Sequence, residues 1–333
     1  MGANIYQNEL SKASFFTADG KPAWHRLGTV LNEPLTANKA ILEAGLDFEV
    51  EKQQLLLPDG RNANGAFATI RKDTNEQLGL VGSRYVVLQN KDAFSFFDSV
   101  VDSDEAVYET AGVLGKGEKI WIMAKLPARF SVVGTGPDDE IETFVVLMNS
   151  HDMTTPIIAF TTHVRVVCQN TLNAALSNTI RKISVRHTAS AENQLATAHE
   201  ILGITDKLTE EMKLIWGEMA KKEITSKYLD SYLEDLLPIP EPSDDDDEEK
   251  TKRTPRVLKY REEIKQSFFS GAGQDMPGVR DTAWGLYNGT TFWIDHIKNY
   301  RNGDSGRLSA TWLGTGAELR QQAFDNIVEF TFN

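Results

Sequence analysis

The sequence is poor in the features that mark secreted, membrane-bound and cysteine-ligated proteins. A single cysteine, Cys168, excludes an internal disulfide and a cysteine-based zinc site. No run approaches the roughly 18 uninterrupted apolar residues that a membrane-spanning helix needs. Residues 1–16 lack the basic-then-apolar order of a secretory signal, and no Walker loop occurs. We therefore expect a cytoplasmic protein that is neither membrane-bound nor a P-loop ATPase.

Negative charge predominates, but much of it lies in one short run. The formal net charge is −13, from 35 basic and 48 acidic residues. The segment 241–249 alone carries −7, which leaves −6 for the rest of the chain. Two segments are basic, with net charges of +4 over 251–265 and +3 over 151–190. The overall charge therefore does not exclude a nucleic-acid partner, because binding depends on the local charge.

The first half of the chain has the pattern of an antiparallel sheet. Two short helices are predicted there, one from Thr36 to Gly45 and one beginning at Asn90. Short turn segments between the strands favour a meander over a doubly wound sheet, which would place a long helix after each strand. The strand-like runs are 46–57, 66–72, 78–88, 106–114, 119–126, 141–148 and 157–168.

After Gln169 the hydrophobic period becomes helical. Leu208, Met212, Ile215 and Met219 form one apolar stripe that packs either on a neighbouring subunit or on the chain's own sheet. We predict an α+β fold, with an antiparallel β-rich N-terminal half and a helical C-terminal half. Its parts are a β-rich core domain at 1–190, a helical segment at 191–237, an acidic proline-rich linker or loop at 238–254 and a helical region at 255–333.

Cations and aromatic residues on the predicted strand faces indicate a nucleic-acid interface. Because side chains alternate along a strand, Lys119, Trp121 and Lys125 share the face opposite an apolar set. His163 and Arg165 likewise share one face of their strand. A sheet surface with cations and an exposed aromatic residue can follow a phosphate backbone and stack a base. In the alternative interpretation, the C-terminal helices cover Trp121 and the lysines only solvate the sheet.

The other candidates for DNA contact lie in one turn and around the junction between the last long strand and the next helix. We predict that the cations contact phosphates and that the tryptophan and histidine stack on bases. The two amide side chains would bond to a sugar or base, although capping the helix is an alternative role for the asparagine. These candidates are Trp24, His25, Arg26, Gln169, Asn170, Arg181, Lys182 and Arg186.

Two other classes of function stay open as alternatives. In a metal-dependent nuclease, His151 and Asp152 would meet His163 and His187 in space. No two histidines have helical i, i+4 spacing, so we predict no metal, no other cofactor and no catalytic residue. In a protein-binding module that blocks a host defence factor, the acidic run 241–249 would imitate DNA and bind a basic host protein, although such runs are also ordinary solvated surface.

Seven local segments form a recognisable set: KPAWHRLGTV (21–30), LGLVGSRYVVLQN (78–90), TAGVLGKGEKIWIMAKLP (110–127), LMNSHDMTTP (147–156), TTHVRVVCQNTLNAAL (161–176), RHTAS (186–190) and DTAWGLYNGTTFWIDH (281–296). They resemble the phage/plasmid-like protein family, whose shared region is domain of unknown function 932. The resemblance runs from about residue 20 to about residue 325 of this chain.

This resemblance implies carriage on phages, prophages and plasmids, and therefore a bacterial host cell. The family is more remotely similar to phage single-strand annealing proteins, which bind single-stranded DNA in a basic groove and form rings or filaments. We therefore expect a homo-oligomeric single-stranded DNA-binding or annealing protein that acts in DNA recombination or replication without catalysis.

Overall fold

The structure is a computed structural model. It describes residues 14–17, 29–31, 35–101, 107–132, 134–136, 138–167, 170–171, 182–188, 190, 200–239, 247–300, 307, 310–312 and 314–333. The acidic run at 241–246 and the turn around Trp24 lie outside these residues.

Eleven strands form two sheets within the described residues, and most of them follow the predicted runs. Their bounds are β1 Ser14–Thr17, β2 Thr29–Leu31, β3 Val50–Leu56, β4 Asn62–Arg71, β5 Glu76–Gly82, β6 Val107–Leu114, β7 Lys119–Ser131, β8 Glu140–Ser150, β9 Ile157–Arg165, β10 Asn170–Thr171 and β11 Lys182–Val185.

The main sheet has the strand order β10-β9-β8-β7-β6-β1-β2, and β11 also pairs with β9. Strands β6 to β9 form an antiparallel meander, joined by short connections as the sequence predicted. β1 and β2 are parallel to each other. The smaller sheet has the order β3-β4-β5 and is antiparallel throughout. The predicted antiparallel β-rich half is therefore confirmed.

Helices dominate the C-terminal half, which confirms the α+β prediction. They are α1 Ala37–Glu43, α2 Asn90–Val101, α3 Glu200–Met219, α4 Ser226–Leu236, α5 Asp247–Ser270, α6 Ala283–Phe292 and α7 Thr315–Phe332, with a π-helical turn at Trp293–Ile297 after α6. Helix α5 begins inside the predicted acidic linker, so residues 247–254 are helical rather than extended. No described helix is both long enough and apolar enough to cross a bilayer.

Both faces of the main sheet are buried. Ile120 and Ile122 point towards one core, which also contains residues of α1, α2 and the smaller sheet. Trp121 and Met123 point towards a second core on the opposite face, where Trp312 packs on the sheet. Side chains alternate along β7 as the sequence predicted, but the alternation separates two apolar cores instead of a core from solvent.

The helical half has a third core that also covers one end of the main sheet. Ile141, at the start of β8, packs with residues of α3, α4, α6 and α7. Met212, Ile215 and Met219 of the predicted apolar stripe are buried in this core. The stripe on α3 therefore packs within its own chain, mainly against other helices.

Candidate nucleic-acid interface

One end of the main sheet brings together four of the segments that carry the family resemblance. β7 begins there at Lys119, which pairs with Ser150 at the end of β8. β9 begins and β11 ends at the same place, since Val185 pairs with Ile157. The loop at 151–156 joins β8 to β9. We call the exposed rim formed by Lys119, Arg186 and Arg84 the sheet-end surface.

Lys119, the first residue of β7, and Arg186, the residue directly after β11, lie in the same row of the main sheet. The register aligns Trp121, Met148, Ile158 and Ser184 in one row across β7, β8, β9 and β11. Lys119 lies two residues before Trp121, whereas Arg186 lies two residues after Ser184. Both therefore lie in the next row on the same face, three strand spacings or about 14 Å apart.

These two predicted cations remain available to a ligand. Arg186 is exposed and Lys119 is partly exposed. Neither forms a salt bridge to a carboxylate among the described residues. Charges that are accessible and not neutralised by a protein carboxylate are what a phosphate-binding surface requires.

Arg84 adds a third exposed cation on a turn beside Arg186. The Val86 amide donates to the His187 carbonyl at 3.0 Å, which joins the turn to the segment after β11. Lys52 Nζ donates to the carbonyls of Ser83 at 2.7 Å and Tyr85 at 2.9 Å, so the turn is also fixed from β3. Like the other two cations, Arg84 forms no salt bridge within the described part of the chain.

Two neutral histidines lie beneath the sheet-end surface. Burial lowers the pKa of His151 to about 3 and that of His187 to about 4. His151 Nε2 is 2.9 Å from Asn90 Oδ1, and His187 stacks on Tyr85 with 4.7 Å between the ring centroids. Because Asn90 Nδ2 donates to two backbone carbonyls, its Oδ1 faces His151 and accepts the Nε2 proton. These histidines therefore carry no positive charge at neutral pH.

Asp152 is a carboxylate whose charge acts on His151, His187 and Tyr85. Its Oδ1 accepts hydrogen bonds from the Thr154 amide at 2.9 Å and from Thr154 Oγ1 at 2.7 Å. Burial raises the pKa of Tyr85, and the negative charge of Asp152 adds to that effect. Because its bonds are made inside the 151–156 loop, Asp152 stabilises the loop and leaves Lys119, Arg84 and Arg186 without a salt bridge to it.

The prediction that Arg165 contacts DNA is wrong. Arg165 is fully buried, and its Nε forms a hydrogen-bonded ion pair with the equally buried Asp139. Its Nη2 donates to the Gly273 carbonyl at 3.1 Å, and Trp284 Nε1 donates to Asp139 Oδ2 at 3.3 Å. Arg165 therefore joins the main sheet to the helical half, which covers this end of β9.

The predicted roles of Trp121 and His163 are also wrong. Trp121 is fully buried in the core that contains Trp312, so it has no exposed face on which a base could stack. His163 is buried against Phe130 and Trp216, and burial with the charge of Lys213 lowers its pKa to about 4. In both cases a second apolar layer covers the sheet face that we expected to be open.

Lys125 and two lysines of the basic segment 251–265 pair with protein carboxylates. Lys125 Nζ lies 2.8 Å from Glu142 Oε1, and both side chains are mostly buried. Lys265 pairs with Asp230 at 2.7 Å, and Lys259 pairs more loosely with Glu263 at 3.6 Å. The prediction that Lys125 supports phosphate binding is therefore wrong, because its charge already has a partner.

The remaining predicted contacts stay predictions. Lys182 pairs with Phe160 in β11, and Asn170 pairs with Arg165 in β10, where it is part of a strand rather than a helix cap. The other five lie outside the described residues: Trp24, His25, Arg26, Gln169 and Arg181.

The described residues contain no group of three or more His, Cys, Asp and Glu side chains that could hold a metal ion. His187 does come near His151 and Asp152, since the pKa of His151 responds to the charges of both His187 and Asp152, and the pKa of His187 responds to that of Asp152. His163 lies elsewhere, at the opposite end of β9. The four-residue constellation of the nuclease hypothesis is therefore not assembled.

Sequence reasoning missed Arg84. It lies in the segment 78–90 that carries part of the family resemblance, but a single arginine before a tyrosine gave no periodic signal. Its proximity to Arg186 follows from the hydrogen bond between Val86 and His187, which joins residues a hundred positions apart in the chain.

The fold and this rim define an α+β protein with a central antiparallel meander and a small basic surface at one end of its sheet. A family model described as Domain of unknown function (DUF932) matches residues 77–312, which is more than half of the chain. The chain therefore belongs to the DUF932 family. No curated protein and no solved structure shows significant similarity to it.

Proposed function

We propose that this protein binds single-stranded DNA through the sheet-end surface and acts as a binding or annealing protein. The observation that supports the proposal is the row position shared by Lys119 and Arg186. Both are accessible, lie on one face and have no carboxylate partner in the described part of the protein. Arg84, which is held beside Arg186, extends the positive charge of the same surface.

The cations of the sheet-end surface can attract phosphate groups although the protein as a whole is acidic. Within a Debye length of about 8 Å at physiological ionic strength, a phosphate responds mainly to nearby charges. The run 241–249 concentrates much of the negative charge in a separate part of the sequence. A phosphate chain that crosses from β7 to β11 meets cations spaced about 14 Å apart. The spacing favours an extended polynucleotide over a single phosphate ion.

The two buried histidines add no charge to the proposed binding surface. His151 and His187 are neutral at pH 7, so affinity depends on lysine and arginine, which stay charged. With the predicted stacking residue Trp121 buried, phosphate contacts supply most of the affinity. We propose recombination or replication of phage or plasmid DNA as the setting, in keeping with the family resemblance.

The decisive experiment replaces both cations of the row. In the double variant Lys119→Glu with Arg186→Glu, we expect the affinity for a single-stranded oligonucleotide to fall at least tenfold. Each phosphate contact contributes about −0.7 to the slope of log affinity against log salt on single strands. Loss of two contacts should therefore make this slope shallower by about 1.4, as measured by fluorescence anisotropy at several salt concentrations.

A matched control uses two exposed lysines on other elements, Lys39→Glu with Lys227→Glu, which changes the net charge equally. This control should bind with nearly unchanged affinity and slope. Equal losses in both double variants would show a general charge effect and contradict the proposal. Binding by neither the native protein nor the control would contradict it as well.

A further inference from the structure

The loop at 151–156 carries an exposed apolar side chain at the sheet-end surface. Met153, in this loop, is 55% exposed, although methionine is among the residue types most often buried. Its φ of 62° lies in the left-handed region, which residues other than glycine seldom adopt. Such a backbone conformation persists only where the surrounding structure imposes it, and it is frequent at ligand-binding sites. The exposure of Met153 therefore calls for a functional explanation.

Contacts on either side of Met153 impose this loop conformation. Asp152 Oδ1 accepts hydrogen bonds from both the amide and the hydroxyl of Thr154. The backbone of Asp152 also packs directly on β5, where a Cβ added to Gly79 would lie only 2.5 Å from the Asp152 Cα. Only glycine at position 79 allows so close an approach. Met153 therefore projects from a loop whose neighbouring residues are fixed.

The loop is joined to the strands that carry two cations of the sheet-end surface. At its start, the His151 amide donates to the carbonyl of Glu118 at 2.7 Å, and Glu118 directly precedes Lys119. At its end, the first residue of β9 pairs with Val185, which directly precedes Arg186. β8 and β9 are the two strands that separate β7 from β11. The loop that connects them therefore lies between Lys119 and Arg186.

The third cation of the surface is joined to the same loop. Tyr85 Oη donates to the Ser150 carbonyl at 2.9 Å, and Tyr85 directly follows Arg84. Consecutive Cα atoms are about 3.8 Å apart, so the Met153 Cα lies within about 11 Å of that of Ser150. Met153 is therefore an apolar side chain surrounded by three accessible cations, each carried by a different segment.

This arrangement separates contacts to phosphates from contacts to bases. Cations alone do not select single strands, because single-stranded and duplex DNA both present phosphates. The unstacked bases distinguish a single strand, and they pack on side chains that offer them an apolar surface. The negative charge of Asp152, next to Met153, disfavours a phosphate over the loop itself but does not repel an uncharged base.

We propose that Met153 packs against the bases of a single strand and gives the sheet-end surface a preference for single-stranded over duplex DNA. The inference rests on the proposed function, because it needs phosphates bound at Lys119 and Arg186. A strand held at both cations places the intervening sugars and bases over the loop. Methionine is flexible and polarizable, so its side chain adapts to any of the four bases without sequence preference.

The test compares three oligonucleotides of one length by fluorescence anisotropy: a single strand, its duplex, and a single strand whose central nucleotides lack bases. The native chain should bind the intact single strand most tightly. Met153→Ala, which keeps a Cβ at the left-handed position, should weaken binding of the intact strand at least threefold. Binding of the other two probes should not change, and neither should the salt dependence, because no phosphate contact is lost.

A second variant makes the opposite prediction. Met153→Trp offers a larger surface for stacking and should strengthen binding of the intact single strand alone. Leu214→Ala, which removes an exposed apolar side chain from α3, is the matched control and should leave the affinity for all three probes unchanged. A thermal melt of each variant shows whether the fold is retained.

The outcomes separate this inference from the proposed function. If the double variant of Lys119 and Arg186 loses affinity but both Met153 variants bind like the native chain, only the role of Met153 is refuted. An equal loss on all three probes in Met153→Ala would refute it as well, since the residue would then only shape the loop. If the native chain binds none of the probes, the proposed function fails and this inference fails with it.

Discussion

The two ends of the main sheet carry the same kinds of residue but use them differently. At the end where β9 finishes, Arg165 is buried and paired with Asp139, and His163 is packed among aromatic rings. At the opposite end, Lys119 and Arg186 remain accessible and have no carboxylate partner among the described residues. Among the residues that the structure describes, helices cover the first end and leave the rim of the second open. A cation on a strand thus becomes structural or available for binding according to what packs over it.

The largest expected loss of stability comes from removing the buried ion pair at the covered end of the sheet. Arg165→Ala would leave Asp139 as an unpaired buried carboxylate, so the free energy of unfolding should fall by about 3–5 kcal/mol. Urea denaturation measures this directly. Arg84→Ala is the matched arginine control at the open end and should cost less than about 0.5 kcal/mol. Similar costs for the two arginines would contradict the contrast between the ends.

The second prediction concerns the helix that covers this end. Met219 of α3 is fully buried, whereas Leu214 on the same helix is largely exposed. Met219→Ala should lower the free energy of unfolding by about 2–5 kcal/mol because it leaves a cavity. Leu214→Ala should change it by less than about 0.5 kcal/mol. If Leu214→Ala proves as costly as Met219→Ala in thermal or urea melts, a partner covers Leu214 in solution.

The third prediction is the acid sensitivity of His163. Its pKa is about 4 in the folded chain and about 6.5 when unfolded. Below pH 6.5 the unfolded chain therefore binds a proton that the folded chain does not, and stability falls as the pH falls. At pH 4.5 this histidine accounts for about 2 kcal/mol of the loss. In His163→Gln, the difference in stability between pH 7.5 and pH 4.5 should be smaller by that amount, and an unchanged difference would contradict burial of the neutral imidazole.

The smallest expected change in stability is at the open end of the sheet. Lys119→Ala with Arg186→Ala should change the free energy of unfolding by less than about 0.5 kcal/mol, because neither side chain makes a buried contact that stability depends on. The same variant should still lose affinity for oligonucleotides. Unchanged stability with reduced binding would show that these cations, unlike Arg165, serve binding. A large loss of stability would show that this rim is structural too.

Local sequence patterns anticipated most of the strands and helices. The predicted runs at 106–114 and 119–126 correspond to β6 and β7, and the alternation of Ile120, Ile122 and Ala124 towards one core is confirmed. The apolar stripe on α3 is helical as predicted. Such patterns succeed because period and turn chemistry depend on residues close together in the chain.

The sequence by itself determined the fold class, the antiparallel meander and the family resemblance, because each is encoded in short segments. The tertiary structure decided which cations are accessible. Arg165 meets Asp139 and Gly273, and Arg84 comes beside Arg186, through contacts between segments far apart in the chain. Strand alternation assigns a side chain to a face of the sheet, but it does not show whether a helix covers that face. Whether a cation is buried and paired depends on the helices that pack there.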